Sequence, residues 1–480
     1  MSKFSEKCKA LLQENGTNVY RLSNDSSLER TTLQRMVTGK RLPGIEFVKQ
    51  FCRELRMPLA EEKHLIELYK MEVIGEEVYR NRQCIHNLIR YLFRLEKSGY
   101  HEQQIPKSRE LIFGKVHSGG VTDYDYLIYS TLEKCFQNEK PVSIYTNYPA
   151  TDTYFFRQIQ ILNRRYPDNK VRIEHRVHFQ INTALMAANL QILYNVMPLT
   201  LSGTLDYTSC YYYSRVTDEE LCQFFLPYYI ITPTCLLEIS GDLQNVIIHT
   251  EKGKIQDYLT EYKRLNCYVK PLFQYSNTPE EAWEHYTKQI PENARQLHVI
   301  GAQPCYRDLI ADPDFRERVE RHHPEFYHFA GSIVENHSFY QDKEMNLFFS
   351  EEGLDYFCDT GKLTGQIGAL LPPLSVEERI AALERFLHHN PLHHYYLFTS
   401  DIQIPFYLNF EMYEDKQFQL IQITDELEVS IFTVTESSIC DAFWDYTSSL
   451  PESEYVRTEE ETEKVVRNKL ESMKFMELKY

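Results

Sequence analysis

Apolar positions recur at helical spacing through the first 75 residues of this 480-residue chain. Val19 and Leu22 share one face of a helix over Asn18 to Asn24. The polar run Asn24-Asp25-Ser26-Ser27 then offers side-chain acceptors that break one helix and cap the next. Leu28, Leu33 and Met36 predict a second helix from about Leu28 to Val37, with Arg30, Thr31, Thr32, Gln34 and Arg35 on its outward and flanking faces. Gly39 predicts its end, with Lys40 and Arg41 beside the stop, and Pro43 opens a further helix carrying Phe47, Val48, Phe51, Cys52 and Leu55. Leu65, Ile66 and Tyr69 predict a last helix from about Ala60 to Glu72. From Val78 to Lys97 a connecting helix follows, and its stripe of Val78, Ile85, Leu88, Ile89, Leu92 and Phe93 suits either a dimer seam or packing on its own chain.

The period changes beyond the polar stretch Ser98 to Gly120, which marks a domain boundary. Short apolar runs at Val142 to Tyr145, Val171 to His175 and Leu190 to Tyr194 predict strands, with a helix around Tyr154 to Arg164, so an α/β module with parallel strands is expected. The module echoes itself. LLEISGDLQNVIIHTEKGKIQDYLTEYKRL from Leu236 to Leu265 aligns with LIQITDELEVSIFTVTESSICDAFWDYTSSL from Leu420 to Leu450, each reading as strand, acidic turn, strand and helix. PVSIYTNYP ending at Pro149 likewise echoes QLHVIGAQP ending at Pro304. A charged helix capped by Thr458, with Val465, Val466 and Leu470 inward, is predicted to close the second half.

The expected fold class is therefore multidomain: an all-α N-terminal helix-turn-helix domain (1–75), a connecting helix and linker (76–120), and a large α/β module in two similar halves (121–285 and 286–480). The stretch Thr17 to Pro43 carries Leu22-Ser23, Leu28, the run RTTLQRM from Arg30 to Met36, and Gly39-Lys40-Arg41-Leu42-Pro43. With these residues, roughly positions 3 to 73 resemble the Cro/CI-type (XRE family) helix-turn-helix domain. Two positions depart from the family pattern: Asn18 or Val19 stands where a glutamine is frequent, and Val37 where an acidic residue is. The resemblance implies a second helix in the major groove of double-stranded DNA, with Arg30, Thr31, Thr32, Gln34 and Arg35 at base edges. Lys40 and Arg41 would lie beside phosphates.

Charge agrees with that placement. The net charge of −17 is uneven: residues 1 to 75 hold 13 Lys+Arg against 10 Asp+Glu, leaving 39 against 59, a balance of −20, for the rest. Phosphate binding needs clustered positive charge, so only the first segment suits nucleic acid. The 11 cysteines show no CxxC pair or zinc-finger spacing and read as free thiols in a reducing compartment. With no apolar run near the ~20 residues of a membrane span, a cytoplasmic protein that does not engage membranes is expected.

Catalytic signatures are missing: no glycine-rich phosphate loop, GxSxG or HExxH occurs. Duplicated α/β halves are also similar to phospholipase D-like enzymes, but their HxKxxxxD motif has no counterpart, since no HxK occurs, which argues against that activity though not against a degenerate version of such a fold. The adjacent histidines His322-His323, His388-His389 and His393-His394 read as surface residues rather than metal ligands. No enzyme activity, cofactor or metal is expected. The predicted function is a DNA-binding transcriptional regulator with a ligand-sensing or oligomerising module, working as a homodimer. An enzyme or effector with an appended helix-turn-helix, or a protein-binding adaptor, are the alternatives. Ligands of parallel sheets sit at strand carboxyl ends, which selects Asn147 and Asp152 in one half and Gln303 and Arg307 in the other as contacts for a small-molecule effector. The cluster Tyr211-Tyr212-Tyr213 suits a pocket lining or an oligomer surface.

Overall fold

The computed structural model describes residues 2–97, 124–180, 186–201, 205–214, 226–276, 281, 294–304, 314–328, 330–331, 338–365, 370–388, 390–399, 402–414, 417–423 and 429–477. The chain divides into two units, Met1–Gln83 and Cys84–Tyr480.

The first unit is built from α1 (Lys3–Glu14), α2 (Val19–Asp25), α3 (Arg30–Val37), α4 (Ile45–Glu54) and α5 (Leu59–Ile74), and α6 (Glu76–Lys97) crosses the division. Asn18 caps α2 by accepting from the Arg21 amide at 3.0 Å. Ser26 ends α2: its hydroxyl donates to Leu22 O at 2.6 Å and accepts from the Leu28 amide at 3.2 Å. Leu28 thus enters the core from the turn, and α3 begins two residues later than its apolar spacing predicts. Gly39 takes φ +69° and closes α3, with Gly39 N bonded to Met36 O and Lys40 N to Arg35 O. Phe4, Cys8, Leu11, Leu22, Leu28, Leu33, Met36, Val48, Phe51 and Leu65 form one core.

In the second unit, α7 (Tyr124–Asn138) precedes β1 (Val142–Thr146), α8 (Thr153–Arg165), β2 (Val171–Gln180), α9 (Met186–Leu201) and β3 (Asp206–Ser214). Next come β4 (Tyr228–Ile231), β5 (Leu236–Ile239), β6 (Val246–His249), α10 (Lys252–Arg264) and the short β7 (Lys270–Pro271). The second series comprises β8 (Gln274–Ser276), β9 (Gln296–Ile300), α11 (Phe315–His322), β10 (Glu344–Phe349), α12 (Glu351–Thr360), α13 (Val376–Leu387) and β11 (His393–Leu397). It ends with β12 (Leu408–Tyr413), β13 (Gln417–Ile423), β14 (Val429–Val434), α14 (Ser437–Ser449) and α15 (Glu459–Glu477).

The strands make two mixed sheets, ordered β6-β5-β4-β1-β2-β3-β7 and β11-β10-β9-β12-β13-β14-β8. Read from the opposite end, the second runs β14-β13-β12-β9-β10-β11, the order of the first six. Three strands are parallel in each, β1-β2-β3 and β9-β10-β11, and the hairpin strands that follow are antiparallel. The sequence echoes fall on equivalent elements: β5, β6 and α10 match β13, β14 and α14, and β1 matches β9. The chain leaves the first sheet at Pro271 and joins the second at Gln274.

One strand assignment is corrected. Leu190 to Tyr194 lies inside α9, whose Leu190, Ile192, Leu193, Val196, Met197 and Leu199 are all buried. A five-residue apolar stretch is too short for its period to tell helix from strand, so length decides, and the helix that contains it extends over 16 residues. The third parallel strand is β3. The α6 stripe also meets a definite fate: Ile85, Leu88, Ile89, Leu92 and Leu95 sit in the core of the second unit, so they are not an exposed dimer seam. Thr458 caps α15 by accepting from the Glu461 amide at 3.2 Å, and Val466, Leu470 and Met473 pack into the outer core of the second sheet. No helix among the described residues is long and apolar enough to cross a membrane.

Two glycines of similar sequence context should respond oppositely to alanine. A Cβ on Gly353 would stand 1.9 Å from Ala302 O, where α12 presses on the loop after β9, whereas one on Gly253 in α10 meets nothing within 4 Å. Chemical denaturation should show Gly353→Ala destabilising the second unit by about 3 kcal/mol and Gly253→Ala stabilising it by about 0.5 kcal/mol.

Candidate nucleic-acid interface

The amphipathic character of α3 decides which side chains face solvent. Leu33, Met36 and Val37 are buried, which turns Arg30, Thr31, Gln34 and Arg35 outward, all exposed, while Thr32 is half-buried on the flank. Thr32 donates its hydroxyl to the Glu29 carboxylate one turn back, so its methyl is the part left for contacts. Lys40 and Arg41 are exposed just past the Gly39 closure, with the Lys40 amide held by Arg35 O. Among the described residues no ion pair engages Arg35, Lys40 or Arg41, so their charges are not neutralised locally. All seven sequence-selected residues therefore lie on α3 or its immediate exit.

Tyr20 escaped the sequence reading. It is 56% exposed on α2, and the Arg30 guanidinium lies 5.0 Å from its ring centroid. A cation held over an aromatic face loses less rotamer freedom on binding, so Tyr20 orients Arg30. The sign was the helical phase itself: with Val19 and Leu22 inward, Tyr20 turns out.

The loops selected in the large unit have structural duties. Asn147 accepts from Tyr229 N at 2.7 Å and donates to Pro227 O at 3.0 Å, clipping the end of β1 to β4. Asp152 caps α8 through the Tyr154 amide at 2.8 Å and accepts from the Tyr148 hydroxyl at 2.6 Å. Gln303, buried after β9, donates to Lys362 O and accepts from Thr364 N, both at 3.0 Å. Arg307 lies outside the described residues. A ligand using these amides would have to displace backbone bonds within each half.

Tyrosine and histidine chemistry is likewise internal. Tyr211 is buried against Phe179 and Tyr212 stacks on His178, while the Tyr213 hydroxyl donates to Glu436 at the start of α14. His393 and His394 are neighbours on β11, and successive strand residues point to opposite faces, so the two cannot share an ion. His322 and His388 are exposed, and His389 lies outside the described residues.

Two other histidines sit in the core. His175 on β2 lies 2.7 Å from Tyr148 O through Nε2 and 2.8 Å from the Tyr207 hydroxyl through Nδ1. A carbonyl only accepts, so Nε2 carries the proton and Nδ1 accepts. His298 on β9 is stacked on Trp444 at 4.1 Å, with Nδ1 2.8 Å from Thr447 Oγ1 and Nε2 3.1 Å from the Asn346 amide nitrogen. Both are neutral, satisfied core groups, and burial pushes each pKa from 6.5 down to about 4. Between α11 and α13 a cavity of about 80 Å³ is lined by Phe315, Arg318, Leu374, Glu378 and Arg385, with Arg318 and Glu378 paired at 2.9 Å. Small-molecule sites usually offer about 300 Å³ or more, so this one is too small for a typical ligand.

No protein-family model matches the chain, and no curated protein matches it. Among solved structures it is similar to the crystal structure of phosphatidylserine synthase from Haemophilus influenzae Rd KW20, at 9% identity and a TM-score of 0.23, over 73% of this chain and 92% of that one. A likeness that distant carries no argument about fold or function.

The core histidines set a pH dependence. The unfolded chain protonates them near 6.5 and the folded chain only near 4, so between those values the unfolded state holds more protons. Stability is then complete above the unfolded value and is lost as pH falls through the window, by about 2 kcal/mol per histidine from pH 7 to pH 5. Urea titrations across that range should give a shallower slope for His175→Gln, even though the variant starts less stable. An unchanged slope would show that His175 is not buried neutral.

Proposed function

We propose that the chain is a cytoplasmic DNA-binding transcriptional regulator of the Cro/CI type. Its first unit reads double-stranded DNA through α3, and its acidic α/β unit senses a small molecule, oligomerises, or does both. The observation that carries this reading is the exposed row Arg30, Thr31, Gln34 and Arg35 on α3, followed by exposed Lys40 and Arg41, in a chain whose remaining residues are strongly acidic. Arginine pairs well with the guanine edge and glutamine with the adenine edge, because each side chain makes two hydrogen bonds to one base. Lysine and arginine at the helix exit suit phosphates, which fix register without reading sequence.

A single recognition helix covers a short half-site, so we propose a homodimer that pairs two such helices about one DNA turn apart. With the α6 stripe buried from Ile85 to Leu95, the seam falls to other surfaces of the chain.

Gel shifts of the full chain on DNA from upstream of its own gene, at fixed salt, test the reading. Arg30→Ala and Gln34→Ala should each flatten discrimination between related sites by about 1 to 3 kcal/mol. Lys40→Ala and Arg41→Ala should weaken all sequences alike and lower the salt slope by ~1 per lost phosphate contact. Specificity that survives both α3 changes would remove α3 as the reading helix.

A further inference from the structure

We infer that the chain dimerises by pairing the outer edge of β6 with the same edge of a second copy, antiparallel about Ile247, so that the first sheets of two chains join into one. The inference rests on the homodimer proposed above and names its seam. It does not depend on which helix reads DNA.

The duplication supplies the comparison. In the second sheet β14 is not an edge, because β8 pairs with it antiparallel over Ile431 to Thr433. Its equivalent in the first sheet is β6, which ends that sheet, and among the described residues no strand pairs with its outer side. Burial differs accordingly: Ile431 and Phe432 are each 3% exposed, whereas Ile247 and Ile248 are 41% and 38% exposed. The place that an extended segment of the chain fills in one half is open in the other.

An open edge offers a row of backbone donors and acceptors, and monomeric proteins guard it with charge, proline or a bulge. None of these guards is present. The stretch Gln244 to Thr250 holds no Asp, Glu, Lys, Arg or Pro, and β6 pairs with β5 in an unbroken register. Two copies, each strongly acidic beyond residue 75, repel one another over most of that surface, and an uncharged apolar edge lets them meet where the repulsion is weakest.

The backbone fixes the register. The Ser240 amide donates to Asn245 O, so Asn245, Ile247 and His249 turn their backbone groups toward β5, while Val246 and Ile248 turn theirs outward. An antiparallel second β6 satisfies those outward groups when Val246 of each copy exchanges hydrogen bonds with Ile248 of the other. Ile247 then faces Ile247 across the two-fold axis in a pair of the close kind, about 4.5 Å between Cα atoms. Centring on Ile248 instead would set Val246 against Thr250, so Ile247 gives the fuller apolar match. The same register brings Asp242, exposed in the turn before β6, alongside exposed Lys252 at the start of α10 in the second copy. Four residues make a short seam, which suits a reversible dimer rather than an obligate one.

Light scattering of the full chain at micromolar concentration tests the seam. The wild type should show the mass of two chains. Ile247→Lys and Ile247→Glu each set like charges face to face at the two-fold axis, so each alone should lose the dimer. Mixed in equal amounts the two variants should recover it, because Lys then faces Glu, and recovery shows that both are folded. Ile248→Pro removes an outward amide and no bond to β5, and should lose the dimer too. A dimer that persists in Ile247→Lys and Ile248→Pro, or a mixture that stays monomeric, would overturn this seam and leave the homodimer itself standing. A wild type that is monomeric with and without DNA would overturn both.

Discussion

Parallel strands leave both faces of a sheet needing cover, and the second unit meets that need for two sheets by sharing one core between them. Val142, Ile144 and Ile173 from the first sheet and Phe410, Phe418 and Phe432 from the second belong to the same buried cluster. Between them lie α9 and α14, joined at Asn189 and Ser438, while Tyr213 reaches Glu436. Equivalent helices have diverged under this constraint. α10 buries only Ile255 and Tyr262, in a small cluster with Ile231 and Leu236, whereas α14 places Ile439, Cys440, Phe443 and Tyr446 in the shared core. The topology is duplicated, but the burial is not. The latter part of α6 is drawn into the same core, which is why its apolar stripe is spent inside the chain.

The sequence revealed the duplication because strand, turn, strand and helix recur with apolar residues in matching places, as Leu236-Leu237 and Leu420-Ile421 do in β5 and β13. It misread Leu190 to Tyr194, where five residues are too few for the period to tell helix from strand. Asn147 and Gln303 looked like ligand contacts because polar residues at strand ends serve two purposes. Composition does not say whether an amide faces a ligand or clips a neighbouring loop, and here the amides clip. The exposed face of α3 was legible from spacing alone, since three buried positions fix the phase of the helix. His175 and His298 carry no sequence mark, because contacts so remote in sequence arise only from topology.

Electrostatics divides the labour. DNA attracts a protein through clustered positive charge and repels dense negative charge over about a Debye length, ~8 to 10 Å at physiological salt. On the proposed reading, a chain with +3 in residues 1 to 75 and −20 beyond would approach a duplex through its first unit. Within that unit the charges that face solvent flank a helix whose inner side is fixed by Leu33, Met36 and Val37. Burial thus sets the orientation of α3, and in the proposed function charge would set which surface meets the phosphates.

The most direct test of that division is photocrosslinking of the full chain to a bound duplex, with the attached peptides mapped by mass spectrometry. The account predicts crosslinks concentrated between Arg30 and Arg41. Crosslinks concentrated within Cys84–Tyr480 would contradict it.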